Sequence, residues 1–174
     1  MGVQALMAMA MFVEGLGSPC LEYMLLTSAA RLAQSQGLHR HPPKGCNLSC
    51  AQITQRSLVF WSLYCYDKHI SLRAGRPSTI DDRNITCEIP RFPPSKGLEG
   101  IFISKTIEHA RLTLEITAWM ARFRSKNIPL EDSIRQLRKL DARLSRWADS
   151  LPPQLRPGSD LKLRTAAKSN LHPT

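Results

Sequence analysis

Apolar residues along this chain fall in runs at helical spacing, separated by short stretches rich in Gly, Pro and polar residues. The first run, residues 3–14, is built mainly of Ala, Leu and Met and meets no breaker before Gly15 and Gly17, which predicts a short, mostly buried helix. Ser18 then offers an N-cap with Pro19 at the first helical position, and Leu21, Met24, Leu25, Ala29, Leu32 and Ala33 recur at helical spacing. Gly37 is expected to end this second helix as its C-cap. Residues 38–49 hold two prolines, a glycine and an asparagine, and read as an exposed loop in which Asn47 or Ser49 can cap the next helix.

Residues 51–73 contain neither Gly nor Pro. The segment 58–66 is aromatic and β-branched enough to suit a strand, but the run is too long for one, and length decides for helix. Within that segment only Ser62 is clearly polar, so this third helix is expected to be surrounded by others. Pro77, Pro90, Pro93 and Pro94 exclude regular helix from 77–96, and Ile80, Ile85 and Ile89 are expected to pin this long loop to the core.

Helix resumes over 98–126, with Ile103, Ile107, Ala110, Leu114, Ala118 and Ala121 on one stripe and Leu112, Ile116, Trp119 and Phe123 beside it. A last helix is predicted for 130–150, where Ile134, Leu137, Leu144, Ala148 and Leu151 keep a near-heptad spacing interrupted by Asp141. Pro152 and Pro153 stop it. Residues 156–174 have little periodicity and are expected to form a poorly ordered tail. The pattern predicts an all-α, multi-helix fold.

With 174 residues, 43% of them hydrophobic, the chain is long enough for one domain with a real core, and the same length also fits a fragment of something larger. The net charge of +10 suits a polyanionic partner such as nucleic acid or an anionic membrane surface. Its distribution argues against a uniform nucleic-acid-binding surface: residues 1–90 carry 8 basic and 6 acidic side chains, residues 91–174 carry 16 and 8. Cys20, Cys46, Cys50, Cys65 and Cys87 form an odd set without repeated spacing, which points to free thiols in a reducing compartment. The apolar opening is too short to span a bilayer and lacks a basic n-region, so a soluble intracellular protein without membrane contact is expected.

Four groups of residues could carry chemistry. His39, His41, Cys46 and Cys50 are the right types for a tetrahedral zinc site, but the spacing lacks a C-x2-C pair and the proline-rich loop offers no framework, which favours plain loop residues. Arg135, Arg138, Lys139, Arg143 and Arg146 share a broad helical face that could meet phosphates. A solvated face opposite Ile134, Leu137 and Leu144, supported by a Glu131–Arg135 pair, is the commoner origin of such a pattern.

Asp67, Lys68, His69 and Ser71 lie close in sequence, yet no nucleophile elbow, phosphate loop, dinucleotide fingerprint or zincin motif accompanies them, and Asp81 and Asp82 are paired only by adjacency. No catalytic residue and no enzyme activity are expected. Arg56, Asp67, Arg73 and Arg76 bracket a buried helix, where charges are costly unless paired, so a salt-bridge or cap network with Asp67, Asp81 or Asp82 is expected ahead of the alternative, an effector-binding site at this corner. Gly75 suits a conformation that other residues resist, and Pro77 blocks helix continuation.

The segment Ala29-Ala30-Arg31-Leu32-Ala33-Gln34-Ser35-Gln36-Gly37-Leu38-His39-Arg40, followed about twenty residues later by Phe60-Trp61-Ser62-Leu63-Tyr64-Cys65-Tyr66-Asp67-Lys68 and then Gly75-Arg76-Pro77-Ser78-Thr79-Ile80-Asp81-Asp82, resembles the regulatory middle homology domain of fungal zinc binuclear-cluster transcription factors. The family-motif positions are Arg31, Gly37, Leu38, His39, Arg40, Arg56, Phe60, Trp61, Tyr64, Asp67, Gly75, Arg76, Pro77, Ile80 and Asp82, read as mainly structural. The resemblance covers residues 3–95 and extends through Trp147-Ala148-Asp149-Ser150-Leu151-Pro152-Pro153-Gln154-Leu155.

It implies a partial regulatory domain over 1–155, incomplete at its C-terminal side. It further implies a nuclear protein that modulates transcription through protein contacts or a small-molecule effector, and that forms homo- or heterodimers with related factors. DNA and zinc are expected only through a zinc-cluster module that this sequence lacks, with no cofactor in the chain itself. A stand-alone helical small-molecule sensor, or a truncated fragment without function, is the alternative.

Overall fold

In the computed structural model, residues 1–43, 45–92, 97–125 and 128–156 are described. They form five α-helices and no strand: α1 (Gly2–Gly15), α2 (Pro19–Ser35), α3 (Cys50–Ala74), α4 (Gly97–Ser125) and α5 (Leu130–Asp149), with short 3-10 turns at Asp82–Asn84 and Pro153–Leu155. Each helix packs on the next in chain order, and α1 also touches α3. The all-α expectation holds. None of these helices is long and apolar enough to cross a membrane.

α3 is the central element because its sequence defines both ends and supplies the core between them. Ser49 accepts from the backbone N–H of Gln52 while the Gln52 side chain accepts from the Ser49 N–H, a reciprocal cap that satisfies two donors at the start. At the other end Gly75 adopts φ +62°, and the N–H groups of Gly75 and Arg76 close on the carbonyls of Leu72 and Ser71. Between the caps Phe60, Trp61, Leu63, Tyr64 and Ile70 are buried against Leu26, Ala29, Ala30 and Ala33 of α2 and Ile107 and Ala110 of α4. Phe60, Trp61 and Tyr64 meet edge to face, at centroid distances of 5.6 and 5.1 Å.

Residues 77–89 form a strap across α3. Ile80 and Cys87 are buried, Ile85 and Ile89 pack against the core, and the Trp61 indole N–H donates to the Glu88 carbonyl at 3.0 Å. The backbone N–H groups of Thr86 and Cys87 both donate to the His39 carbonyl, which ties the strap to the chain leaving α2.

Several faces differ from the pattern-based expectation. α1 buries only Val3, Met7, Ala10 and Val13, while Met9, Met11 and Phe12 face solvent, Phe12 at 69% exposure. On α2, Leu21 and Met24 are exposed and Glu22, Leu26 and Ala30 are buried in their place. The 38–49 loop begins inside the protein, with Leu38 and His39 buried.

On α4, Ala118, Ala121 and Phe123 are exposed. On α5, Ile134, Leu137 and Leu144 are exposed, because the Trp147 indole donates to the Lys105 carbonyl and its ring lies 4.7 Å from that of His109. That anchor turns Ser133 and Leu140, rather than the leucine stripe, into the interior. Of the expected tail, Arg156 is held by the carbonyls of Leu151 and Asp149, and residues 157–174 lie outside the described ones.

Candidate functional site

The densest gathering of polar side chains lies where the last turns of α3 meet the strap. Asp67, three-quarters of the way along α3, is buried and accepts three hydrogen bonds from the strap: the Ser78 hydroxyl at 2.5 Å, the Thr79 N–H at 3.1 Å and the Ile80 N–H at 3.3 Å. Lys68 is 1% exposed. Its ammonium donates to the Ser78 hydroxyl at 2.7 Å and the Ile80 carbonyl at 2.6 Å, pairs with Asp82 at 3.0 Å, and lies 4.8 Å from the Tyr64 ring centre. Tyr64 donates to the other oxygen of Asp82 at 2.6 Å, and burial together with that bond holds its phenol well above the usual range.

These contacts consume the valences of the motif. Every oxygen of Asp67 has a backbone or hydroxyl donor, and Lys68 donates to a hydroxyl and a carbonyl and is ion-paired with Asp82, so the buried charges are compensated. The adjacent acid Asp81 faces outward and accepts from Arg83, which lowers its carboxyl to about 2.

A second network lies on the same helix one turn further on. Arg73 bridges Glu14 of α1 and Glu22 of α2, and Tyr66 donates to Glu22 at 3.0 Å. Glu22 is 0% exposed, so this bridge neutralises an otherwise isolated interior carboxylate and locks three helices together. The expected arginine partners are thereby corrected: Arg73 pairs with Glu14 and Glu22 rather than with Asp67, Asp81 or Asp82. Arg56 donates to the carbonyls of Gln36 and Gly37, capping the end of α2, and Arg76 stacks on Tyr23 with its guanidinium carbon 5.0 Å from the ring centre. Tyr23 in turn donates to the Pro77 carbonyl.

Sequence reasoning misses Glu14, Glu22 and Tyr66. The signal available for them is the i, i+4, i+7 spacing of Tyr66, Ile70 and Arg73, which puts a hydroxyl and a cation on one face of α3. Nothing in the residue pattern of α2 marks Glu22 as interior, since an acid in a first helical turn is ordinarily a surface feature.

The other motif positions divide by location. Phe60, Trp61, Tyr64 and Ile80 are core, Leu38 and His39 are buried beneath the strap, and Gly75 and Pro77 form the turn, whereas Arg31 and Arg40 are exposed. Burial, with the nearby Arg40 charge, lowers the His39 pKa below its usual value. His39, His41, Cys46 and Cys50 do not converge, and no three His, Cys, Asp or Glu side chains among the described residues gather as a metal site would require.

The basic residues of α5 are partly neutralised: Arg143 pairs with Glu115 of α4, and Arg135 pairs with Asp132, one residue away from the expected Glu131. Of the hydrolase-like run, His69 is exposed, and the Ser71 hydroxyl is buried with no hydrogen-bond partner inside the protein.

Residues 2–149 match the fungal specific transcription factor domain. The chain belongs to this family. As a fungal transcription factor domain it is a regulatory domain of transcription regulators. It is similar to the ABC-transporter-regulating transcription factors of Aspergillus oryzae and Aspergillus fumigatus, each 31% identical over 93% of this chain. It is also similar to the fusaridione A cluster transcription factor of Fusarium heterosporum, 37% identical over 64% of this chain. The domain spans about a fifth of the length of these relatives, 19% of the Aspergillus proteins and 21% of the Fusarium one. No solved structure matches it.

Proposed function

We propose that residues 1–155 act as a non-catalytic regulatory unit in the nucleus, modulating transcription through contacts with other proteins, including related factors with which it dimerises. DNA is met through a zinc-cluster module carried elsewhere, and zinc belongs to that module. The observation that carries the non-catalytic reading is the commitment of Asp67, Lys68, Ser78 and Asp82 to one another and to the strap backbone. An ammonium paired with a carboxylate and donating to a carbonyl has no lone pair with which to activate the neighbouring hydroxyl.

The Aspergillus relatives are named for regulating ABC transporters. We take genes for transporters of that class as the target set, acting through a longer protein that contains this domain.

The test is a reporter assay in a fungal host, with the chain fused to a heterologous DNA-binding module and carrying a fluorescent tag. The expected result is nuclear fluorescence and a reporter output several-fold different from that of the module alone, in either direction. Output equal to that of the unfused module, with the fusion present at normal level, overturns the proposal.

A further inference from the structure

On the outer side of the Arg73–Ser78 corner, a groove of about 640 Å³ separates the end of α3 from the C-terminal half of α4. Its volume is that of a small-molecule site. Leu114, Ala118 and Met120 give it an apolar wall, and no acidic residue lines it. Three guanidinium groups border it, of which Arg73 is neutralised by Glu14 and Glu22. The Arg76 side chain stacks on the Tyr23 ring and donates to the Cys20 sulfur, and among the described residues neither Arg76 nor Arg124 has a carboxylate partner. Ser71, 3% exposed, contributes to the lining, and its hydroxyl is one of three buried side-chain polar atoms among the described residues left without an internal hydrogen bond, the others being His39 Nδ1 and Asp82 Oδ1. A buried hydroxyl in that state costs stability unless something satisfies it.

We propose that this groove binds a small amphipathic organic anion, a carboxylate with an aliphatic body. The carboxylate accepts charge-assisted hydrogen bonds from Arg76 and Arg124, the Ser71 hydroxyl supplies a further donor, and the body lies along Leu114 and Met120. The unsatisfied hydroxyl, the two uncompensated cations and the apolar wall each correspond to one part of such a ligand. Cations are disfavoured because the groove offers no acidic residue. This binding is a property of the isolated chain, so its failure would leave the transcriptional proposal untouched, and failure of the reporter assay would leave the binding untouched.

The probe is octanoate, titrated into the full chain while the methyl signals of Met120 and Ala118 are followed by NMR, with octanol and octylamine as controls. Octanoate is expected to give saturable shifts that weaken with salt, and to bind more tightly than either control. Arg124→Glu, an exposed change on the last turn of α4, is expected to weaken octanoate by at least ~10-fold, the loss of one charge-assisted contact. Ser71→Ala is expected to lower affinity without lowering stability. Absence of saturable shifts, equal binding of octylamine, or unchanged affinity in Arg124→Glu overturns the proposal.

Discussion

Replacing Lys68 by Met tests whether the polar cluster under the strap holds the fold together. The substitution keeps an unbranched chain of similar length inside the protein but removes the ammonium and its contacts to Ser78, Ile80 and Asp82. The Ile80 carbonyl, buried with its residue, is then left with the Ser78 hydroxyl at 3.1 Å, whose hydrogen is already drawn to Asp67, and the loss costs about 1–3 kcal/mol. Asp82 loses its counter-charge, but its side chain is 33% exposed and it keeps the Tyr64 hydrogen bond, so its share is smaller.

Together the loss comes to about 3 kcal/mol, the low end of the range for breaking a buried ion pair. Against a total stability of about 5–15 kcal/mol, that is a large shift. Urea unfolding followed by far-ultraviolet circular dichroism reads it as a lower midpoint with an unchanged slope. Arg83→Ala, which removes an exposed pair with Asp81, is the control and is expected to leave the midpoint unmoved. A loss below about 1 kcal/mol for Lys68→Met, the level of a surface pair, would refute the reasoning.

Burial elsewhere in the protein sets three further outcomes. It lowers the pKa of both His39 and His109, the latter also through the charge of His69. The unfolded chain therefore holds protons that the folded one releases, and stability should be full above about pH 6.5 and fall as pH drops through that value; an unchanged urea midpoint between about pH 7.5 and pH 5.5 contradicts this. At Gly100 an added Cβ would stand 2.6 Å from the Cβ of Phe92, so Gly100→Ala should lower the thermal midpoint by the equivalent of about 1–2 kcal/mol even though Ala favours helix, and a stabilised variant contradicts the close approach. Cys65 and Cys87 have thiols pushed up by burial to about 12 and about 11, whereas Cys20, Cys46 and Cys50 are exposed. Mass spectrometry after brief alkylation of the native protein should find those three labelled and Cys65 and Cys87 unlabelled until unfolding.

The helix boundaries were legible because they are written in local chemistry. Ser49 with Gln52, Gly75 before Pro77, and Pro19 after Ser18 each act within a few residues of the end they set. Which face turns inward was less legible, since that depends on partners distant in the chain. Leu21 and Met24 share the helical spacing of the α2 core, yet Glu22 is the interior residue, because Arg73 and Tyr66 arrive from α3 to receive it.

On α5 the leucine stripe has the spacing of a contact face. A single tryptophan, held by a carbonyl and an imidazole of α4, sets the rotation instead. The candidate site was recognisable as a cluster of charged residues in a turn. Its pairing was not, for Asp67 and Lys68 are neighbours in sequence that share the Ser78 hydroxyl but otherwise spend their bonds on different atoms of the strap.

The motif from Gly75 to Asp82 is a pinned structural strap rather than a mobile loop awaiting a ligand. Native-state hydrogen exchange at the amides of Thr79, Ile80, Thr86 and Cys87 measures this directly, because the first two donate to Asp67 and the last two to the His39 carbonyl. Protection at Ile80 and Cys87 is expected to be comparable to that of α3, with all four amides slowed in common by Lys68-dependent packing and released together in Lys68→Met. Exchange of these amides at the rate of an open loop, while α3 stays protected, would contradict it.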